Sequence, residues 1–145
     1  MSRSTLLALV FSTVTPMTAQ SASSIPAQVV DAAKREAIVA ASLAPAEKEL
    51  GAKVSLGVRS IASDGNWAFV LADLQEPGGA PFDYSKSPFA EQAKQGLVSH
   101  RYAALLRQRD GQWTIVTERV GPTDPAWLGW SDKYGAPKDL FVTPD

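Results

Sequence analysis

The sequence predicts an α+β domain: an N-terminal helix packed on a four-stranded antiparallel meander sheet, followed by an irregular aromatic C-terminal segment. Three observations carry this. Apolar residues between about Ala27 and Leu43 recur at helical spacing, with Asp31, Lys34, Arg35 and Glu36 mostly on the opposite side. Two Asp-Gly pairs, Asp64-Gly65 and Asp110-Gly111, each sit between strand-like runs, as hairpin turns do. Beyond Gly121, Pro and Gly are too dense for a long helix.

The helix is expected to break at Ala44-Pro45, because a residue before proline is biased away from helical dihedrals. Ala46 to Leu50 would form a second short stretch, stopped by Gly51. From Lys53 to Ile61 the chain alternates: Val54, Leu56 and Val58 on one side, Ser55, Gly57 and Arg59 on the other. After Asp64-Gly65, the run Trp67 to Ala72 puts large residues on one face and small ones on the other. Trp67, Phe69 and Leu71 are expected to meet the helix. Ala68, Val70 and Ala72 would lie under the C-terminal segment.

Pro77-Gly78-Gly79-Ala80-Pro81 breaks the sheet, and a link runs to about Gly96. Within it a short helix is expected, with Ser87 as cap, Pro88 first and Gly96 as stop. The second hairpin follows. A two-residue Asp110-Gly111 loop needs positive φ at both positions, which Gly tolerates best and Asp or Asn next best. That turn sets a register with Leu106 facing Ile115, Leu105 facing Val116, Ala104 facing Thr117 and Tyr102 facing Arg119. In the tail, one helical turn from Pro125 to about Lys133, capped by Asp124, would put Trp127 and Trp130 on one face.

The length of 145 residues suits one core, and 45% apolar content argues against disorder. Residues 1–24 read as a secretory signal, leaving a single domain over 25–145. Arg3 gives the positive start, Leu6 to Phe11 the apolar centre, and Thr18, Ala19, Ser21 and Ala22 the small residues around cleavage. The alternative is a hydrophobic N-terminus on a cytoplasmic protein. There is no Cys, so no disulfide staples the fold. A periplasmic or secreted location follows from the leader. The formal charge of −1 gives no basic footprint for nucleic acid, and the apolar run is short for a membrane span.

Motif chemistry is sparse. His100 is the sole His, and Asp73 is the carboxylate to test beside it as a general acid–base pair. With one His and no Cys, zinc ligation is poorly served, so no metal and no cofactor are expected. Gly78-Gly79 lacks the lysine and the helix of a phosphate loop. Trp127, Trp130, Tyr134 and Phe141 form the densest aromatic group, suited either to pinning the tail or to recognition.

The order helix, hairpin, link, hairpin, tail resembles the cystatin-like and NTF2-like α+β folds. The Trp67-Ala68-Phe69-Val70 run with the later Gly111-Gln112-Trp113-Thr114-Ile115-Val116 also resembles uncharacterised bacterial secreted domains with such folds. Gln28-Val29-Val30-Asp31-Ala32 and Pro125-Ala126-Trp127 resemble the two inhibitory loops of cystatins. The first lies at the helix start and lacks the Gly; the second carries an inserted Ala. The resemblance implies a cavity between helix and curved sheet, and NTF2-like enzymes place Asp–His pairs there. These folds host binders, inhibitors and enzymes alike.

The expected function is a non-enzymatic binding or interaction module for an unknown small molecule or protein, with Trp67, Phe69, Tyr102, Trp127 and Trp130 as candidate contacts. A small-ligand binder predicts an apolar pocket lined by Trp67, Phe69 and Tyr102. A protein partner predicts an exposed patch around Trp127 and Trp130. A small cystatin-like or NTF2-like enzyme, or an inhibitor, is the alternative.

Overall fold

The structure is a computed structural model that describes residues 30–143. The proposed leader, and the first residues of the expected helix, lie outside the described residues. So do Gln28 and Val29.

Helix α1 spans Ala32–Leu50. The Asp31 carboxylate accepts the Lys34 amide at 2.9 Å and so caps its first turn. Gly51, at φ 68°, closes its end, its amide donating to the Glu47 carbonyl. The helix does not break at Pro45 but runs through it. Proline removes one backbone bond there, at a cost of about 3 kcal/mol. That cost is outweighed because Ala46 and Leu50, both beyond Pro45, are fully buried. The buried stripe takes every fourth residue, Ile38, Ser42, Ala46 and Leu50. Ser42 is tolerated inside because its hydroxyl donates to the Ile38 carbonyl at 2.9 Å.

Four strands, β1 (Ser55–Ser63), β2 (Trp67–Gln75), β3 (Arg101–Arg109) and β4 (Gln112–Val120), form one antiparallel sheet in the order β1-β2-β3-β4. Both expected hairpins are present. In the first turn the Asp64 carboxylate accepts the amides of Asn66 and Trp67. In the second, Asp110 and Gly111 both hold positive φ, 52° and 75°.

The expected β3–β4 register holds from the turn to Leu106↔Ile115 and then slips by one. Leu105 meets Thr117, Ala104 meets Glu118 and Tyr102 meets Val120. An irregularity between Leu105 and Leu106 leaves Val116 unpaired. A second one falls between Val58 and Ser60 and frees Arg59 from the ladder.

The two faces are covered in the opposite sense to the expectation. α1 packs over Ala68, Val70, Ala72, Ala104 and Tyr102, the small-residue face of β2. The C-terminal segment packs over Phe69, Leu71, Ala103 and Leu105. A helix is about 10 Å across, and alanines beneath it let its backbone come close. The tail is thin and irregular, so large side chains from the sheet must fill the space under it.

The link returns beside the sheet through a 3₁₀ turn, Tyr84–Lys86, and a short helix α2, Ala90–Lys94. α2 starts two residues later than expected, with the Ser87 hydroxyl accepting the Phe89 amide instead of capping a helix that begins at Pro88. The tail carries α3, Trp130–Tyr134, and a second 3₁₀ turn, Lys138–Phe141. The expected turn from Pro125 begins only at Trp130, and Gly129 takes the cap position assigned to Asp124. Trp127 and Trp130 nevertheless share a face. Their rings lie 5.8 and 6.3 Å from Phe69.

Candidate functional site

The C-terminal segment and the sheet flank a cleft of about 760 Å³. Leu71, Trp127, Leu128 and Phe141 are its apolar lining, and Arg59, Arg101 and Asp124 its charged residues. Its position follows from strand geometry. Phe69, Leu71 and Asp73 alternate onto one face of β2. Phe69 and Leu71 are covered by the tail, whereas Asp73 emerges beyond it.

Asp73 pairs in register with Arg101 on β3 and with Gly57 on β1. The bulge at Arg59 turns its side chain onto the same spot, where Nε donates to both Asp73 oxygens at 2.9 and 2.8 Å. That bond raises the Arg59 guanidinium above its ordinary range, so it stays a cation. Both contacts use Nε, and the terminal nitrogens of Arg59 make no hydrogen bond among the described residues. Arg101 makes no ion pair among the described residues, and neither does Asp124 on the rim.

A backbone lock sets the rim. The Ser99 hydroxyl donates to the Pro122 carbonyl and accepts the Arg101 amide at 3.0 Å. Gly121 lies in this lock at φ 66°. A Cβ there would sit 3.0 Å from the Val98 Cβ and 3.1 Å from both the Ser99 carbonyl oxygen and the Tyr84 hydroxyl. The Tyr84 hydroxyl itself donates to the Ser99 carbonyl at 2.6 Å, and burial pushes its pKa up to about 12.

Of the five residues singled out in the sequence, only Trp127 borders this cleft. Phe69 and Trp130 lie in the core beneath the tail. Trp67 is half-buried at the other end of that face, with the Arg107 guanidinium 4.9 Å from its ring. Tyr102 is on the opposite face, fully buried under α1. Trp67, Phe69 and Tyr102 therefore do not line one pocket, because Tyr102 pairs with Ala72, which lies on the face of β2 opposite Trp67 and Phe69. Nor do Trp127 and Trp130 form an exposed patch, being only 6% and 5% accessible. The exposed apolar residue there is Leu128, at 74%.

Asp73 and His100 are not brought together. His100 bonds through its carbonyl to the Leu74 amide, and its Nε2 lies 2.9 Å from the Phe82 carbonyl, beside the Tyr84 ring. Phe82 and Tyr84 belong to the α1 side of the sheet, whereas Asp73 faces the tail side. No group of three or more His, Cys, Asp or Glu that could hold a metal occurs among the described residues.

A second polar cluster sits under α1. The Tyr102 hydroxyl donates to the Glu118 carboxylate and lies 3.2 Å from the Ser42 carbonyl. Burial raises the Glu118 carboxyl, the Tyr102 bond opposes this, and the Glu49 charge adds to it. Burial likewise raises Glu49, against the pull of Arg119. The same burial and the Glu118 charge push the Tyr102 phenol far above its usual range. This cluster fastens the second half of α1 to β3 and β4.

Compared with protein-family models, with curated proteins and with solved structures, the chain matches none.

Proposed function

We propose that the chain is an exported, non-enzymatic binding module whose contact site is the cleft between the C-terminal segment and the sheet. The observation that carries this reading is the cleft itself: about 760 Å³ with an apolar lining and a few polar groups, the make-up of a small-molecule site. The non-enzymatic reading is supported by the engagement of the polar groups. The Asp73 carboxylate is held by Arg59, and His100 lies on the other face against the Phe82 carbonyl. Export to the periplasm or beyond is supported by Arg3, the apolar run from Leu6 to Phe11 and the small residues that follow. Among the described residues, no helix is long and apolar enough to cross a membrane.

The test is fluorescence of a neutral solvatochromic dye such as Nile red. Native protein should enhance and blue-shift its emission. Ser60→Trp, which places an indole in the cleft, should abolish that response while the protein still melts cooperatively. Enhancement that survives Ser60→Trp would place the dye elsewhere and refute the site.

A further inference from the structure

We infer that the ligand of this cleft is a soluble organic anion with a hydrocarbon body, its carboxylate or phosphate held between Arg59 and Arg101. The inference rests on the cleft being the binding site and adds the chemical class of what it binds. Four features support it.

The cleft is lined both by two guanidinium groups, Arg59 and Arg101, and by apolar side chains, Leu71, Trp127 and Phe141. Such a mixed lining suits a molecule with a charged head and an apolar tail. Two guanidinium groups also flank a single carboxylate: Asp73 faces Arg101 across the ladder and bonds Arg59 directly. With Asp124 on the rim counted, the charged side chains around the cleft sum to zero, so it is the placement of the two guanidinium groups, and not net charge, that favours an anion.

The geometry of the pair leaves Arg59 usable. Asp73 engages Nε alone, at 2.8 Å to its nearer oxygen, and so leaves the two terminal nitrogens as a donor fork. Asp73 is thus a positioning residue, fixing the fork of Arg59 while Arg101 supplies the second cation. Lastly, the backbone around Arg101 is fixed. Its amide is bonded to the Ser99 hydroxyl and its carbonyl to the Gly121 amide. Arg59 thus offers a positioned fork, and Arg101 a second cation whose side chain starts from a fixed point of the backbone.

The test is displacement of Nile red by three ten-carbon probes below their micelle concentrations: decanoate, decanol and decyltrimethylammonium. Decanoate should bind most tightly. Arg101→Gln should weaken decanoate by about tenfold or more, the effect of one charge-assisted hydrogen bond, and leave decanol unchanged. Asp73→Asn discriminates further. It adds positive charge, so simple attraction would tighten decanoate binding, whereas loss of a positioned Arg59 fork weakens it. Decanol or the cation binding as tightly as decanoate would overturn the anion assignment and leave the cleft as a binding site. Failure of all three, with no dye response in native protein, would refute the cleft reading itself. Decanoate binding that tightens in Asp73→Asn would overturn the positioning role.

Discussion

The Tyr102 hydroxyl and the Glu118 carboxylate share a hydrogen bond inside the helix–sheet junction, with the Ser42 carbonyl 3.2 Å away on the helix. One phenol thereby ties α1 to two strands of the sheet. Removing it leaves a half-buried carboxylate without its donor. Tyr102→Phe is expected to lower stability by about 1–3 kcal/mol, measured by urea denaturation. A loss near zero would mean that water replaces the phenol without cost.

The same cluster sets a pH dependence. The Glu118 and Glu49 carboxyls are raised above the ordinary value of 4.5, mainly by burial. A raised carboxyl binds its proton more readily in the folded state, so its contribution to stability grows as pH falls through the folded pKa. Glu47 and Asp83 act in reverse. The Lys53 hydrogen bond lowers the first and the Ser85 backbone bond the second, so their support is lost only below the ordinary carboxyl range. The melting temperature should therefore rise as pH drops from neutrality toward the ordinary carboxyl range and fall at stronger acidity. Glu118→Gln should flatten the rise, as read by calorimetry across that range.

The tail belongs to the core. Trp130 is buried against Phe69 and does not border the cleft. Trp130→Ala should cost about 3–5 kcal/mol, and truncation after Gly121 should abolish the cooperative melt. Leu128→Ser, at an exposed rim position, should change stability by less than about 0.5 kcal/mol.

Gly121 and Gly65 make a matched pair for the rim. Both have positive φ, 66° and 96°. A Cβ at Gly65 meets nothing within 4 Å, whereas at Gly121 it meets the Ser99 carbonyl oxygen at 3.1 Å. Gly65→Ala should cost about 1–2 kcal/mol from the backbone alone. Gly121→Ala should cost clearly more in the same denaturation assay, and it should loosen the rim.

Much of the architecture was legible because local and long-range signals agree. Asp110-Gly111 needs positive φ, and that turn alone sets the pairing as far as Leu106↔Ile115. Beyond it, Val116 continues the apolar run without a break, so nothing in the residue types marks the bulge that moves Tyr102 from Arg119 to Val120. The small and large faces of β2 were also visible, but not which cover each would take. Alternation says that Ala68 and Phe69 point apart; only the thickness of the covering layer decides that the helix takes the alanines. The candidate site was hidden for a related reason. Aromatic residues stand out in the sequence, but Phe69, Tyr102 and Trp130 lie buried in the two cores and Trp67 is half-buried, away from the cleft. Arg59, Asp73 and Arg101 are single charges on three strands. The Arg59–Asp73 pair depends on a bulge at Arg59, and Arg101 is set beside it by the register of β2 with β3. The alternation that places Arg59 and Asp73 at one end of a hairpin was the only available hint.

Export is checked by mass spectrometry of protein recovered outside the cytoplasm. The leader reading expects a chain beginning within a few residues of Ala22. A full-length chain starting at Met1 and retained in the cytoplasm would contradict it.

The most direct measurement is an amide and indole chemical-shift map during titration with decanoate. Shifts should concentrate at Arg59, Ser60, Leu71 and Arg101 and at the Trp127 indole, with Ser42, Tyr102 and Glu118 unmoved. Shifts confined to the α1 side of the sheet would contradict a binding site between the C-terminal segment and the sheet, and no shifts at all would contradict the anion assignment.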